Sequence, residues 1–219
     1  MTDGHAALVV IAKAPVAGRS KTRLCPPCTP DEAATLAEAA LADTLAAVAS
    51  VPERRRVLVL DGRPGRWLPP GFEVIPQRNG GLDHRLAGAF DDVGGPALLV
   101  GMDTPQLTPT LLAFALDRLE GEAVDAVLGP ALDGGYWAVG LRQPRADAFV
   151  GVPMSTAATG ENQVTRLTSL GLTVVSLPAL RDVDHFDDAL AVADEAPGSR
   201  FATAVRAMTA VGAELVGDA

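Results

Sequence analysis

Uninterrupted apolar runs alternate along this chain with stretches whose apolar positions recur every three or four residues. The first run, Ala6 to Ala12 (AALVVIA), predicts a buried strand. Pro30 to Ala49 is rich in Ala and Leu, has no Gly or Pro after its first residue, and predicts a helix. Strands are predicted at Arg56 to Asp61 and Glu73 to Ile75, a helix at Asp83 to Asp92, and another apolar strand at Ala97 to Met102. Thr108-Pro109 reads as the cap of a helix ending at Leu119. Strands follow at Ala123 to Leu128 and Tyr136 to Leu141, then a helix at Glu161 to Leu170 and a strand at Thr173 to Leu177. Two helices close the chain, around Asp187 to Glu195 and Arg200 to Leu215.

Strands that are apolar at every position must be covered on both faces, and alternation with helices predicts mostly parallel pairing. The short Asp133-Gly134-Gly135 connection predicts a turn into a strand that runs antiparallel. No repeat, low-complexity tract or Gly/Ser linker divides the chain. The expectation is one α/β domain over residues 1–219, Rossmann-like, with a mostly parallel mixed sheet and helices on both faces. In such sheets ligands sit beyond the carboxyl ends of the strands, and those ends are where candidate chemistry is sought.

Composition narrows the function. Hydrophobic residues at 48% and charged residues at 21% exclude disorder as the main state. Eighteen Lys and Arg against 27 Asp and Glu give a net charge of −9. That balance argues against a nucleic-acid polymer or an anionic membrane as partner. Met1 to His5 carries an acid and no Lys or Arg, and Ala6 to Ala12 is too short to span a bilayer. A cytoplasmic protein is expected.

One segment departs from the acidic average. No acid lies between Asp3 and Asp31, and the cations there are Lys13, Arg19, Lys21 and Arg23. They follow the first predicted strand and include Gly18, where backbone N–H groups can approach phosphate oxygens closely. The spacing is not that of a Walker A loop. A polyphosphate site and a solvated basic loop are the two readings of this cluster. At the end of the Ala97 to Met102 strand stands Asp103, where a carboxylate can hold Mg²⁺ against substrate phosphates. Thr108 already caps the next helix, so Asp103 is not needed as a cap. Basic loop and carboxylate together suggest a nucleotide–Mg²⁺ site.

Cys25 and Cys28 flank two prolines. Zinc would need about two more ligands, and His84 and His185 have no paired spacing. A proline-bent loop ending in a capping box, Thr29-Pro30-Asp31-Glu32, explains the segment without metal or redox chemistry. Ser155 and Thr156 have no His nearby in sequence and read as helix-start residues.

These segments carry a family resemblance. AKAPVAGRSKTRL resembles the N-terminal signature of a bacterial transferase family described as radical-SAM/selenodomain-associated or arsenosugar-biosynthesis glycosyltransferases. It is also similar to the loops of 2-phospholactate and molybdenum-cofactor guanylyltransferases. GMDTPQL, GPALDGGYWAVGL, MSTAATGENQVTRLTSLGL and DVDHFDDAL resemble the later blocks in order, from about Leu8 to Leu190. The resemblance implies a glycosyltransferase-A-type, nucleotide-diphospho-sugar transferase fold. It implies that Lys21 and Arg23, supported by Lys13, Gly18 and Arg19, contact nucleotide phosphates, with Lys21 and Asp103 catalytic. It implies that Asp103 and Asp184 hold Mg²⁺ or Mn²⁺, and that Asp133, Gly134, Gly135, Tyr136 and Trp137 form the acceptor side. Gln77 and Arg85 belong to a block assigned to nucleotide recognition, and here Gly81, Asp83 and His84 break its usual pattern. His185-Phe186 replaces the family's Thr-Pro, so Asp184 has two readings, metal ligand or helix cap. Tyr136 and Trp137 are adjacent on a strand and face opposite ways, so at most one lines a cleft.

Three functions follow as expectations. The first is a metal-dependent nucleotidyltransferase that joins a nucleoside monophosphate to a small phosphorylated or hydroxylated acceptor. The second is a glycosyltransferase with a nucleotide-diphosphate sugar donor. The third is a nucleotide-binding module without turnover.

Overall fold

A computed structural model describes residues 5–217 of the chain. Seven strands form one sheet: β1 (Ala7–Lys13), β2 (Arg56–Asp61), β3 (Glu73–Pro76), β4 (Ala97–Val100), β5 (Ala126–Pro130), β6 (Tyr136–Leu141) and β7 (Val174–Ser176). Their spatial order is β3-β2-β1-β4-β6-β5-β7. Six α-helices accompany them: α1 (Pro30–Ala49), α2 (Leu82–Val93), α3 (Pro109–Glu120), α4 (Thr159–Ser169), α5 (Phe186–Glu195) and α6 (Arg200–Gly217). Short 3-10 turns at Thr22–Leu24 and Ala146–Ala148 were not foreseen from the sequence pattern.

Pairing is parallel except around β6, which runs antiparallel to both β4 and β5. The Asp133-Gly134-Gly135 turn produces this reversal, as its length requires. Both sheet faces are covered. On β1, Leu8 and Val10 face a core with Leu41 and Leu45 of α1 and Leu112 and Leu116 of α3. Val9 faces the opposite core, with Leu86 and Phe90 of α2 and Leu167 of α4. The period of two along a doubly covered strand is why the β1 run is apolar at every position.

The N-terminus of α1 carries the predicted cap. Thr29 accepts from the Glu32 backbone N–H, and Glu32 accepts from that of Thr29. Cys25 and Cys28 are free thiols; Cys28 is buried beside Leu24, Leu36 and Phe201 in a third cluster between α1, α5 and α6. Leu24 is fully buried there and anchors the end of the basic loop. The strand expected over Ala97 to Met102 ends at Val100, although Gly101 N–H still donates to the Trp137 carbonyl of β6. No helix among the described residues is long and apolar enough to cross a membrane.

Candidate functional site

Sheet order brings the site together. β1 separates β2 from β4, so chain connections leave in opposite directions on either side of the β1/β4 boundary. Such a reversal opens a crevice at the strand ends. The basic loop leaves β1 there and Asp103 follows β4. The resulting cavity of about 580 Å³ is lined by Lys13, Arg19, Lys21 and Arg23 on one side and by Asp103, Asp133, Asp182 and Asp184 on the other. Its size falls within the ~300–1,000 Å³ of ordinary small-molecule sites.

The loop has its own internal support. Ser20 is buried; its hydroxyl accepts from Val16 N–H and donates to the Ala14 carbonyl. The Arg19 and Ser20 backbone N–H groups both donate to the Val16 carbonyl. Lys21 follows in the left-handed region, φ 51°. Its ammonium points inward, 2.7 Å from Asp103 Oδ1 and 4.0 Å from Asp184 Oδ1, and donates to the Val183 carbonyl. Arg23 Nη1 lies 2.6 Å from Asp184 Oδ2. Lys13 and Arg19 are exposed at the mouth. Gly18 does not line the cavity; it serves the turn, with φ +73°.

Asp184 is not a helix cap. His185 occupies the position before α5, and its backbone N–H donates to Asp188. Of the two readings the sequence left open, the cap therefore falls, and Asp184 is held instead by Arg23 and Lys21. Asp182, which the sequence reading did not single out, completes a group with Asp133 and Asp184 whose carboxylate oxygens lie within 4.8 Å of one another. Burial, and then the charges of Asp133 and Asp184, push its carboxyl up to about 6, against the opposing pull of Lys21. An all-oxygen donor set of mutually repelling carboxylates suits a hard divalent cation. The signal available in sequence was the Asp182-x-Asp184 spacing, masked by the acid-rich DVDHFDD run.

The acceptor-side segment divides into wall and support. Asp133 Oδ1 accepts from Gly135 N–H and closes the β5–β6 turn. Gly134 does not line the cavity. At φ +92° it sits against the Ala157 carbonyl, where a Cβ would come within 2.0 Å of oxygen, so its role is structural. Tyr136 borders the cavity, but its hydroxyl turns inward, 3.3 Å from Oε1 of the fully buried Gln163. Gln163 in turn donates to the Ala148 carbonyl. Burial keeps the Tyr136 hydroxyl protonated throughout the ordinary range. Trp137 borders the floor, yet its indole is core: 3% exposed, packed over Gly129 and donating to the Pro178 carbonyl. The Trp137 ring N–H is therefore committed to the fold.

Gln77 also lines the cavity, with its side-chain amide committed to the fold. Its amide N–H₂ donates to the Ala12 and Val59 carbonyls, and its oxygen accepts from Arg85 Nη1. The amide thus ties β1 and β2 to α2 and positions Arg85 on the cavity wall, with no N–H left for a phosphate. The departures nearby have a structural account. Asp83 accepts from Gly151 N–H and pairs with His84, which hold its carboxyl down at about 2. A Cβ at residue 81 would meet Asp83 Oδ1 at 2.6 Å, so Gly81 makes room for Asp83. Ser155 and Thr156 precede α4, where Thr156 O accepts from Thr159 N–H, in keeping with a helix start.

A family model described as "Uncharacterized protein conserved in bacteria (DUF2064)" matches residues 33–156. No curated protein matches the chain. Among solved structures, a putative nucleotide-diphospho-sugar transferase from Desulfovibrio desulfuricans G20 superposes with a TM-score of 0.82 at 26% identity, over 94% of this chain and 95% of that one. CMP:2-keto-3-deoxy-manno-octonic acid synthetase, complexed with CTP, superposes with 0.56 at 13% identity over 87% and 99%. 2-C-methyl-D-erythritol 4-phosphate cytidylyltransferase from Thermus thermophilus gives 0.54 at 16% identity over 87% and 98%. The last two likenesses show a common fold.

Proposed function

The chain belongs to the DUF2064 family, and we propose that it is a metal-dependent, nucleotide-using transferase, in the first place a nucleotidyltransferase. The observation that carries this reading is the convergence of Lys13, Arg19, Lys21 and Arg23 with four carboxylates at one switch-point cavity. The cations suit the phosphates of a nucleoside triphosphate. The acids suit a divalent cation, Mg²⁺ or Mn²⁺: Asp133, Asp182 and Asp184 bring their oxygens together, and Asp103 lines the same cavity as a further holder in this reading. Such a cation, when bound, would neutralise charge developing on the phosphate oxygens.

In this reading an acceptor oxygen attacks the α-phosphorus. A new P–O bond forms as the bond to the β-phosphate's bridging oxygen breaks, and pyrophosphate leaves. Lys21 and Arg23 stabilise the leaving charge, and Arg19 and Lys13 hold its outer oxygens. Asp133, Gly135 and the ring of Tyr136 bound the acceptor side, and the Tyr136 hydroxyl takes no part because Gln163 holds it. Catalysis of this kind rests on positioning and charge neutralisation rather than on a protein nucleophile. A single acid follows β4, because Met102 is a structural residue whose sulfur accepts from Lys13 N–H.

The likeness to the Desulfovibrio protein favours a second reading, transfer of a sugar from a nucleotide-diphosphate sugar. The two differ in their by-product. A panel of nucleoside triphosphates with Mg²⁺ and candidate small acceptors should release pyrophosphate. Release of nucleoside diphosphate from a sugar nucleotide, with none of pyrophosphate from triphosphates, would replace the first reading by the second. Binding without either product would reduce the protein to a nucleotide-binding module.

A further inference from the structure

Two cations of the basic loop are already paired with acids of the same cavity. Lys21 Nζ, on a side chain only 10% exposed, is 2.7 Å from Asp103 Oδ1, and Arg23 Nη1 is 2.6 Å from Asp184 Oδ2. The Val183 carbonyl, between Asp182 and Asp184 in sequence, also accepts from Lys21. The chain is pinned from the other side as well, since Val183 N–H donates to the Asp103 carbonyl. Lys21 reaches this point from a left-handed backbone conformation that a residue with a Cβ adopts only when its surroundings hold it there. Two ion pairs thus strap the loop across the cavity mouth onto the ends of other elements.

The proposed function assigns these two cations to polyphosphate and these two acids to a divalent cation. Each half of the ligand therefore meets groups already paired with each other. Resting on that reading, we propose that the Lys21–Asp103 and Arg23–Asp184 pairs are a latch on the empty site. Divalent cation and polyphosphate release it only together, by exchanging ion-pair partners.

The reason is electrostatic. A divalent cation arriving alone on Asp103 must displace the Lys21 ammonium, which then stays largely buried beside the Val183 carbonyl, with Asp184 4.0 Å away and shared with the cation. A polyphosphate arriving alone must draw Lys21 and Arg23 away, which leaves Asp103 unpaired and Asp184 unneutralised beside Asp133 and Asp182. Stripping the partner from the largely buried Lys21 is strongly unfavourable, and the partly exposed acids add their mutual repulsion. When both ligands arrive, every released group finds an opposite charge. Each ligand then raises the affinity for the other, and the coupling is reciprocal. The latch would keep free metal ions and lone inorganic phosphates from occupying the site.

The test is Mn²⁺ binding by the full chain in equilibrium dialysis, without nucleotide. Wild type should bind weakly. Lys21→Met should bind Mn²⁺ on the order of tenfold more tightly, and Lys21→Met with Asp103→Asn should lose that gain. Arg23→Gln, at an exposed side chain, should give a smaller gain through Asp184 and supplies the test if Lys21→Met fails to fold. Equal affinity in wild type and both single variants, abolished by Asp103→Asn, would overturn the latch and leave the metal site standing. Absence of Mn²⁺ binding in all of these proteins, even with a nucleoside triphosphate present, would overturn the latch and the metal-dependent reading together.

Discussion

Lys21 and Asp103 extend the carboxyl ends of two adjacent parallel strands, and their charged groups meet at 2.7 Å across the switch point of the sheet. Nothing in their sequence separation announces this contact. It follows from β4 lying beside β1, with β2 on the other edge of β1. If the ammonium serves polyphosphate, Lys21→Ala should weaken triphosphate binding by about 10- to 100-fold, the weight of a charge-assisted contact. The affinity for the bare nucleoside should hold. Paired calorimetric titrations decide this, and equal losses for both ligands would count against a phosphate role.

Asp103 offers the complementary test. Its side chain is 41% exposed, so its removal should change folding stability by no more than about 1 kcal/mol. Asp103→Ala should nonetheless abolish the Mg²⁺ dependence of nucleotide binding. Thermal denaturation and nucleotide titration, each with and without Mg²⁺, give the two readouts. An unchanged Mg²⁺-nucleotide affinity would remove Asp103 from the site.

The parts of this arrangement that the sequence made legible are those in which local pattern and global position coincide. Doubly covered strands are apolar along their length, so the pattern places β1 within one residue at each end, Ala6 to Ala12 against Ala7–Lys13, and β2 at its observed bounds. The capping box fixed the start of α1 at Pro30. The charge gap between Asp3 and Asp31 marked the loop. Side-chain direction was not legible. Gln77 was assigned to nucleotide recognition, but its amide is spent on the Ala12 and Val59 carbonyls, which only the β1–β2–α2 packing brings near. Trp137 was assigned to the acceptor side together with Tyr136. Both border the cavity, but the small Gly129 surface lets the indole pack into the core, where its N–H is held by the Pro178 carbonyl. Asp182 went unnoticed because its effect depends on Asp133, which reaches it from a different strand connection.

Tyr136 and Gln163 separate a ring contact from a hydroxyl contact. The Tyr136 hydroxyl points at Gln163 Oε1, so Tyr136→Phe should leave ligand affinity within about twofold and lower stability by about 1 kcal/mol. Gln163→Leu strands the Ala148 carbonyl as well, and should be more destabilising, by about 1–3 kcal/mol. Tyr136→Ala removes the wall itself and should weaken acceptor binding. Chemical denaturation with parallel ligand titration checks the series. A large affinity loss in Tyr136→Phe would show that the hydroxyl reaches substrate after all.

Gly134 tests whether the acceptor-side turn is structural. A methyl group there would lie 2.0 Å from the Ala157 carbonyl oxygen, on a backbone at φ +92°. Both strain and collision oppose it, so Gly134→Ala should destabilise by at least about 2 kcal/mol. The Ala157 carbonyl belongs to the segment that leads into α4, and Gly160 N–H donates to the Gly134 carbonyl. The lesion should therefore be seen in hydrogen exchange at the start of α4 as well as in the turn. A variant of wild-type stability would mean that the segment before α4 gives way freely.

The carboxyl of Asp182 supplies a pH signature. Its ionisation is raised from 3.8 to about 6 in the folded protein, chiefly by burial. Between those values the folded state keeps a proton that the unfolded chain has lost. Stability therefore falls as pH rises through that window, and the penalty is fully present above about pH 6. Asp182→Asn removes the charge and should raise the stability of the ligand-free protein near pH 8, on the order of 1 kcal/mol after solvent screening. Near pH 4 the same substitution should gain little, because the aspartate is protonated there in the folded state. Divalent cation added at high pH should narrow the gap between variant and wild type, since it neutralises the same cluster. Thermal denaturation at three pH values, with and without Mg²⁺, measures all of this. A stability gain of the same size at every pH would assign the effect of Asp182 to packing instead of charge.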